Sequence, residues 1–200
     1  CLGLESSAIV SRTALLGMVA AKEAVDSAGL SADELMNSIV LNGTSVGGMD
    51  ISETYYKAFL DGEKFDYKDA FSGHDCGHST ESIAKYLGSK GETTTISTAC
   101  SSSANTIMQA GRLIKSGNAN VAIAGGTDAL SVFTLNGFNS LKILDDNPCK
   151  PFDENREGLN LGEGAAYLVL ESEASVKERG ATVLAELVGY GNANDAYHLS

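Results

Sequence analysis

The stretch TTTISTACSSSANTIMQAGRLIKSGNANVAIAGGTD, residues 93–128, predicts a strand, a turn, a helix and a second strand. Its first six residues are mostly β-branched, and the run is short, as is typical of a buried strand. Apolar side chains then recur at helical spacing over residues 107–114, and Gly117 is predicted to end the helix. Residues 121–124 predict a second strand, which stops at the two glycines that follow it. This order of elements indicates an α/β fold.

Cys100 is predicted to lie where the first of these strands turns into the helix. The partial positive charge of a helix N-terminus favours a thiolate and lowers the pKa of a thiol. Residues 101–104 are small, so a substrate has room to approach the sulfur. Spacing alone leaves two interpretations open: a nucleophile, or a small buried core cysteine of the ordinary kind.

The composition excludes some classes of partner. The 200 residues carry a net charge of −12, which argues against nucleic acid and anionic membranes as partners. No apolar stretch reaches the length of a membrane-spanning helix, and the first residues lack the basic region of a secretory signal. The four cysteines are far apart in sequence, which favours a reduced, cytoplasmic setting over disulfides or a zinc site.

The remaining sequence continues the alternation of helices and strands without a repeat or a linker, which favours one domain over residues 1–200. The predicted elements are helices at 11–28, 31–35, 79–87 and 173–179, and strands at 38–44, 165–170 and 182–188. Ser11 is the predicted N-cap of the first helix and Gly29 its end. Ser79 and Ser82 are the predicted capping residues of the helix at 79–87.

Residues 50–78 have no sustained period and are predicted to form an excursion over the sheet. His74 and His78 lie four residues apart, but a helix start at Ser79 would place them on either side of its cap. We therefore expect no metal site there.

Four motifs resemble those of the β-ketoacyl-acyl carrier protein synthases, condensing enzymes of the thiolase superfamily. They are TACSS at 98–102, VAIAGGTD at 121–128, the segment PFD…REG…GEGA at 151–165, and NDAYH at 194–198. Their order and content match the family along nearly the whole chain.

The resemblance implies a thiolase-like α/β fold, with a mostly parallel central sheet and helices on both faces. It also implies that residues 1–200 are an N-terminal half that bears the nucleophile, with the C-terminal half absent from this chain. That second half supplies the family's catalytic histidines and lysine.

The resemblance implies an activity, a 3-oxoacyl-acyl carrier protein synthase, in which Cys100 accepts an acyl group and malonyl-acyl carrier protein then decarboxylates and condenses with it. No cofactor is implied. The implied partners are acyl carrier protein, acyl and malonyl thioesters, and a second copy of the chain in a homodimer.

The resemblance assigns roles to four further residues. Substrate binding falls to Ser101, Phe133 and His198, and carrier-protein docking to Lys142. Glu163, between two glycines, is expected to be buried and to brace the site by accepting hydrogen bonds from backbone N–H groups. Arg156 is its expected ionic partner.

The sequence leaves three alternatives to a condensing enzyme open. A non-catalytic subunit like a chain-length factor would shape a pocket inside a heterodimer, but such subunits typically lack the cysteine found at Cys100. An unrelated cysteine hydrolase would need Asp195 and His198, three residues apart, to reach Cys100. A plain α/β binding module would leave the four ordered motifs without a role.

Overall fold

The structure is a computed structural model that describes residues 10–194. Helices and strands alternate along this part of the chain. In chain order they are α1 (Arg12–Ala28), α2 (Ala32–Asn37), β1 (Ile39–Gly43), α3 (Met49–Leu60), α4 (Tyr67–Ser72), α5 (Cys76–Leu87), β2 (Thr93–Ile96), α6 (Ser102–Lys115), β3 (Val121–Asp128), α7 (Val132–Ser140), β4 (Gly164–Glu171) and α8 (Glu173–Arg179). None of these helices combines the length and apolar character needed to cross a membrane.

The four strands form one sheet in the order β2-β1-β3-β4. Strand β1 is parallel to both β2 and β3, and only β4 runs antiparallel to its neighbour β3. The prediction of a mostly parallel sheet is therefore confirmed. The carboxyl ends of three strands lie at one edge of the sheet, which is where α/β proteins place their sites.

Helices cover both faces of the sheet, as expected. On one face, apolar residues of α1 and α5 such as Met18 and Ile83 pack against Val40 and Ile123. On the other face, α6 packs through Ala110 and its neighbours against residues of β1 and β3. Side chains alternate between faces along a strand, so β1 and β3 each contribute to both cores.

The boundaries of the first helix are those that its sequence predicts. Ser11 is the N-cap of α1, and its hydroxyl accepts a hydrogen bond from the N–H of Ala14 at 3.1 Å. Gly29 ends the helix with a left-handed backbone, at φ 63°, a conformation that costs glycine little. Ser31 then caps α2 in a capping box with Glu34.

Strand β3 does not stop at its two glycines, which corrects the sequence-based boundary. It continues through Gly125 and Gly126 to Asp128. A Cβ on Gly125 would lie 2.1 Å from the carbonyl oxygen of Ala166, and one on Gly126 would lie 2.6 Å from that of Gly43. The glycines therefore allow the backbones of neighbouring strands to approach closely instead of breaking the strand.

Helix α5 begins at Cys76 rather than at Ser79, so the predicted capping residues are wrong. Asp75 is the N-cap, and its carboxylate accepts the N–H of Gly77 at 3.1 Å. Ser79 is instead a buried residue inside the helix. An aspartate is an equally good cap and lies four residues earlier, so the helix gains a turn.

The strand predicted at 182–188 is wrong as well, because no strand among the described residues pairs with this segment. A β-strand needs a neighbour for its backbone groups, and apolar alternation alone does not supply one. The segment is exposed, and the exposed fraction of Leu184 is 90%. Just beyond it, Tyr190 lies under the guanidinium of Arg112 on α6, 5.4 Å from the ring centroid.

A buried polar network crosses the core between the sheet and α5. The side-chain nitrogen of Asn42 donates to the hydroxyls of Ser79 at 3.0 Å and Thr80 at 3.2 Å, and its oxygen accepts from Tyr167 at 2.7 Å. Thr80 in turn bonds to Thr95 at 2.6 Å. Burial raises the pKa of Tyr167 well above its usual range, so the phenol remains a donor.

We expect Tyr167→Phe to lower the free energy of unfolding by about 1–3 kcal/mol, because it leaves the buried oxygen of Asn42 without its donor. Denaturant unfolding measures this loss. The same change at Tyr56, which is exposed, serves as the control and is expected to alter stability by less than about 0.5 kcal/mol. Equal stability of the Tyr167 and Tyr56 variants would contradict a structural role for the network.

Candidate active site

Cys100 lies in the tight turn between β2 and α6, as predicted, and is exposed. The hydroxyl of Ser102 donates to the carbonyl of Ala99 at 2.6 Å and accepts the N–H of Thr98 at 2.9 Å. Ala99 has a left-handed backbone at φ 51°, which costs a non-glycine residue about 1–2 kcal/mol. These bonds hold the strained turn, which presents the thiol at the first turn of a helix.

Close packing at the start of α6 sets the position of this turn. A Cβ on Gly43 would lie 2.6 Å from the backbone of both Ser102 and Ser103. The hydroxyl of Thr106 donates to the carbonyl of Gly125 at 2.8 Å. The small residues after Cys100 therefore also let the helix rest against the ends of β1 and β3.

Asp128 organises the neighbouring loop, and sequence reasoning gave it no role. Its carboxylate accepts hydrogen bonds from the hydroxyl of Thr44 at 2.6 Å, the N–H of Ser45 at 2.9 Å, the hydroxyl of Ser45 at 2.7 Å and the N–H of Val46 at 3.1 Å. The loop after β1 is thereby tied to the end of β3. An acid at the end of a buried strand was the available signal.

Glu163 braces the same edge, but with a different partner from the one predicted. Its two oxygens bind the guanidinium of Arg12, one of them at 2.8 Å, and it accepts the N–H of Leu130 at 3.3 Å. The expected bond to a backbone N–H is thus present. Its side chain is 25% exposed instead of buried, so the expected burial is wrong.

Arg156 does not pair with Glu163. Its guanidinium donates to the carbonyl of Asp153 at 2.9 Å, within the exposed turn that holds both residues. Sequence proximity favoured Arg156, whereas Arg12 is 151 residues away along the chain. The antiparallel pairing of β4 explains the outcome, because it brings Glu163 to the carboxyl end of β3.

The hydrogen bonds from Arg12 and Leu130 lower the pKa of Glu163 from 4.5 to about 2. A carboxyl whose pKa is lowered by folding stabilises the folded state above its unfolded pKa, and loses that contribution as the pH falls through its folded pKa. We therefore expect the melting temperatures of the wild type and Glu163→Gln to differ most above pH 4.5 and to converge toward pH 2.

The control is Glu157→Gln, which removes an exposed carboxylate six residues away. Its difference from the wild type is expected to be smaller at every pH. Glu163→Ala is expected to lower the melting temperature, because it removes the carboxylate that binds Arg12 and the N–H of Leu130. An unchanged melting temperature would contradict the structural role of Glu163.

Of the other predicted site residues, one adjoins Cys100 in the turn and two lie on α7 or just after it. Ser101 is the immediate neighbour of Cys100, and its hydroxyl donates back to the carbonyl of Thr98 at 2.8 Å. Phe133 is on α7 and is 62% exposed, and Lys142 is exposed just after the same helix. His198 lies outside the described residues.

The other cysteines among the described residues differ from Cys100. Cys76 is half-buried on α5. Its burial raises the pKa of its thiol, and the negative charge of Asp75 raises that pKa further. Cys149 is exposed in the long loop between α7 and β4. Of these three described cysteines, Cys100 alone combines exposure with a strand-to-helix turn at the edge where the parallel strands end.

A second feature of this edge is an open apolar cleft of about 460 Å³. It lies between α3, α7 and the loop that precedes β4. Its walls are formed by Glu53, Leu130, Ser131, Val132, Leu135, Leu144, Asp145, Leu159, Asn160 and Leu161. Its volume lies within the range of ligand pockets, but the cleft is open to solvent and Cys100 is not among the residues that line it.

The fold and the site together define an α/β protein with a candidate thiol nucleophile at the carboxyl edge of a mostly parallel sheet. The family model of the β-ketoacyl synthase N-terminal domain matches residues 5–175. The chain therefore belongs to the β-ketoacyl synthase family.

Relatives and a solved structure agree with this assignment. Nodulation protein E of Rhizobium meliloti (strain 1021) is 36% identical over 195 residues, which cover 94% of this chain and 48% of that protein. 3-oxoacyl-[acyl-carrier-protein] synthase 2 of Staphylococcus aureus is 36% identical over 192 residues, covering 92% of this chain and 48% of that protein. The ishigamide ketosynthase/chain length factor superposes with a TM-score of 0.88 at 32% identity, over 94% of this chain and 48% of that one. The chain spans about half the length of these proteins.

Proposed function

We propose that the protein is a 3-oxoacyl-acyl carrier protein synthase that catalyses a decarboxylating Claisen condensation. The observation that carries the proposal is the exposed thiol of Cys100, held in a strained turn at the start of α6. Family membership and the similarity to the Staphylococcus aureus synthase support the same chemistry.

The reaction proceeds in two stages. The Cys100 thiolate attacks the carbonyl of an acyl thioester, the bond from that carbonyl to the carrier protein's sulfur breaks, and the carrier protein leaves as its thiolate. Malonyl-acyl carrier protein then loses carbon dioxide, and its C2 carbanion attacks the Cys100 thioester. The C–S bond breaks, which returns the thiolate and releases the 3-oxoacyl product. The backbone N–H of Cys100, at the helix start, is our candidate donor to the oxyanion.

The domain arrangement follows from the same proposal. We propose that residues 1–200 form the half that bears the nucleophile, with residues 50–78 as an excursion over the sheet. A second half, as in relatives about twice as long, supplies the histidines and the lysine that promote decarboxylation. His198 is assigned to the substrate pocket rather than to proton transfer.

The proposed partners are acyl carrier protein and a second copy of the chain, in the cytoplasm. The chain carries a net charge of −12, and carrier proteins are also acidic, so docking requires a local basic group. Lys142 is exposed at the end of α7 and is our candidate.

A second candidate is a non-catalytic subunit that shapes the pocket of a condensing heterodimer. The similarity to the ishigamide ketosynthase/chain length factor raises it. The exposed Cys100 favours the condensing subunit, because a subunit that does not accept acyl groups has no use for a thiol at this turn.

The test measures the intact mass of the full-length protein before and after incubation with octanoyl-acyl carrier protein. We expect the mass to increase by one octanoyl group, which peptide mapping assigns to Cys100. Loading is expected to persist in Cys149→Ser, which removes the other exposed thiol among the described residues. No adduct would contradict the enzyme and favour the non-catalytic subunit.

A further inference from the structure

Helix α7 is attached to the protein mainly at its N-terminus. None of its residues is buried, and it packs against α3. A helix of nine residues with no buried side chain gains little from apolar burial. The polar contacts at its start therefore decide where it lies.

Glu53 of α3 supplies the central contact. One of its carboxylate oxygens accepts the N–H of Val132 at 3.1 Å, and the other accepts the N–H of Phe133 at 3.0 Å. These are the first two residues of α7, whose N–H groups have no partner within the helix. The hydroxyl of Ser131 accepts a hydrogen bond from the N–H of Thr134, the third residue of α7, at 3.1 Å.

The negative charge of Glu53 strengthens this attachment. A carboxylate at a helix N-terminus interacts favourably with the helix dipole, and hydrogen bonds to a charged acceptor are stronger than neutral ones. The contact joins positions 79 and 80 residues apart, so it fixes the relative position of two separate helices.

The topology places this contact at the same edge of the sheet as the Cys100 turn. The Cys100 turn follows β2, α3 follows the loop after β1, and α7 follows β3, so all three leave the same edge of the sheet. Strand β1 separates β2 from β3, and the ends of those two strands are thus about 10 Å apart. Glu53, Val132 and Leu135 also line the apolar cleft.

We propose that Glu53 is a positioning residue: it holds α7 against α3, fixes the width of the apolar cleft, and so sets which acyl chains Cys100 accepts. The assignment of acyl selectivity rests on the proposed function. Glu53 itself contacts no reacting atom, because both of its oxygens bind backbone N–H groups of α7.

The informative substitution is Glu53→Gln, which keeps the size and removes the charge. One oxygen remains, but the amide NH₂ then faces a backbone N–H, so one of the two hydrogen bonds becomes a donor–donor contact. Glu81→Gln is the matched control, because Glu81 is exposed on α5. Glu53→Asp keeps the charge but shortens the reach by one methylene, and its effects should lie between those of the wild type and Glu53→Gln.

Two measurements on the full-length protein test the proposal. We expect amide hydrogen exchange of Val132 and Phe133 to be about tenfold faster in Glu53→Gln, corresponding to the loss of a charged hydrogen bond. We also expect KM to rise about tenfold for the longest acyl-acyl carrier protein accepted, and to rise much less for the shortest. A merely structural role would change all chain lengths alike.

The two measurements separate this proposal from the proposed function. Unchanged exchange in a folded Glu53→Gln variant, or an unchanged chain-length profile, overturns the role of Glu53 even if the wild type is acylated. A wild type that is not acylated overturns the proposed function, and acyl selectivity with it. Faster exchange in that case still identifies Glu53 as the residue that holds α7.

Discussion

Replacing Cys100 with alanine is expected to abolish acyl loading in the full-length protein and to reduce condensation by about 10⁴-fold or more. In the proposed reaction the acyl chain is transferred to the thiolate, and no neighbouring hydroxyl is expected to take its place. Ser101, the nearest hydroxyl in sequence, donates to the carbonyl of Thr98. Intact mass spectrometry and product formation from malonyl-acyl carrier protein measure the two effects.

The substitution should leave the fold intact, because Cys100 is exposed and its side chain lies outside both core clusters. Cys149→Ala is the matched control, another exposed thiol in the described part of the chain, and should load normally. Acyl loading that persists in Cys100→Ala would show that another residue is the nucleophile.

Gly43→Ala is expected to cause the largest loss of stability, about 3 kcal/mol in the free energy of unfolding. The added Cβ would lie 2.6 Å from the carbonyl carbon of Ser102 and from the backbone nitrogen of Ser103. These are backbone atoms of the first turn of α6, so no side chain can turn away to make room. The helix must move, and the Cys100 turn moves with it. Denaturant unfolding measures the loss.

Gly137→Ala provides the control for this prediction. A Cβ at this position in α7 meets no atom within 4 Å. Alanine favours a helix over glycine by about 0.5–1 kcal/mol, so this variant is expected to be slightly more stable than the wild type. If Gly43→Ala proved as stable as Gly137→Ala, the close approach of α6 to β1 would not be a determinant of stability.

The sequence was most informative where periodicity and capping residues coincided. The bounds of α1, the strand-to-helix turn at Cys100 and the alternation of α/β elements follow from local patterns that tertiary packing does not override. The glycines at 125 and 126 were misinterpreted because glycine marks both a turn and a close approach of backbones. Only the neighbouring strand β4 distinguishes the two.

The side-chain partners were much less predictable than the elements. Glu163 binds Arg12 and Glu53 binds the start of α7, contacts that span 151 and about 80 residues of sequence. A single sequence contains no information on which of several distant charges will meet. Asp128 and Glu53 are acids with ordinary spacing, and their roles become visible only once the strand ends are brought to one edge.

The reversed direction of β4 has a consequence for how this site tolerates change. The register between β3 and β4 pairs Asp128 with Gly164. Glu163 therefore lies beside the end of β3 regardless of the path of the loop that precedes it. Backbone bonds between residues 143–145 and Leu159 close the base of that path, and residues 146–157 beyond them are all exposed. Doubling the length of such a loop costs only about 0.6 kcal/mol in closure entropy. We therefore expect insertions between residues 146 and 157 to add surface at this edge of the sheet without displacing the carboxylate of Glu163.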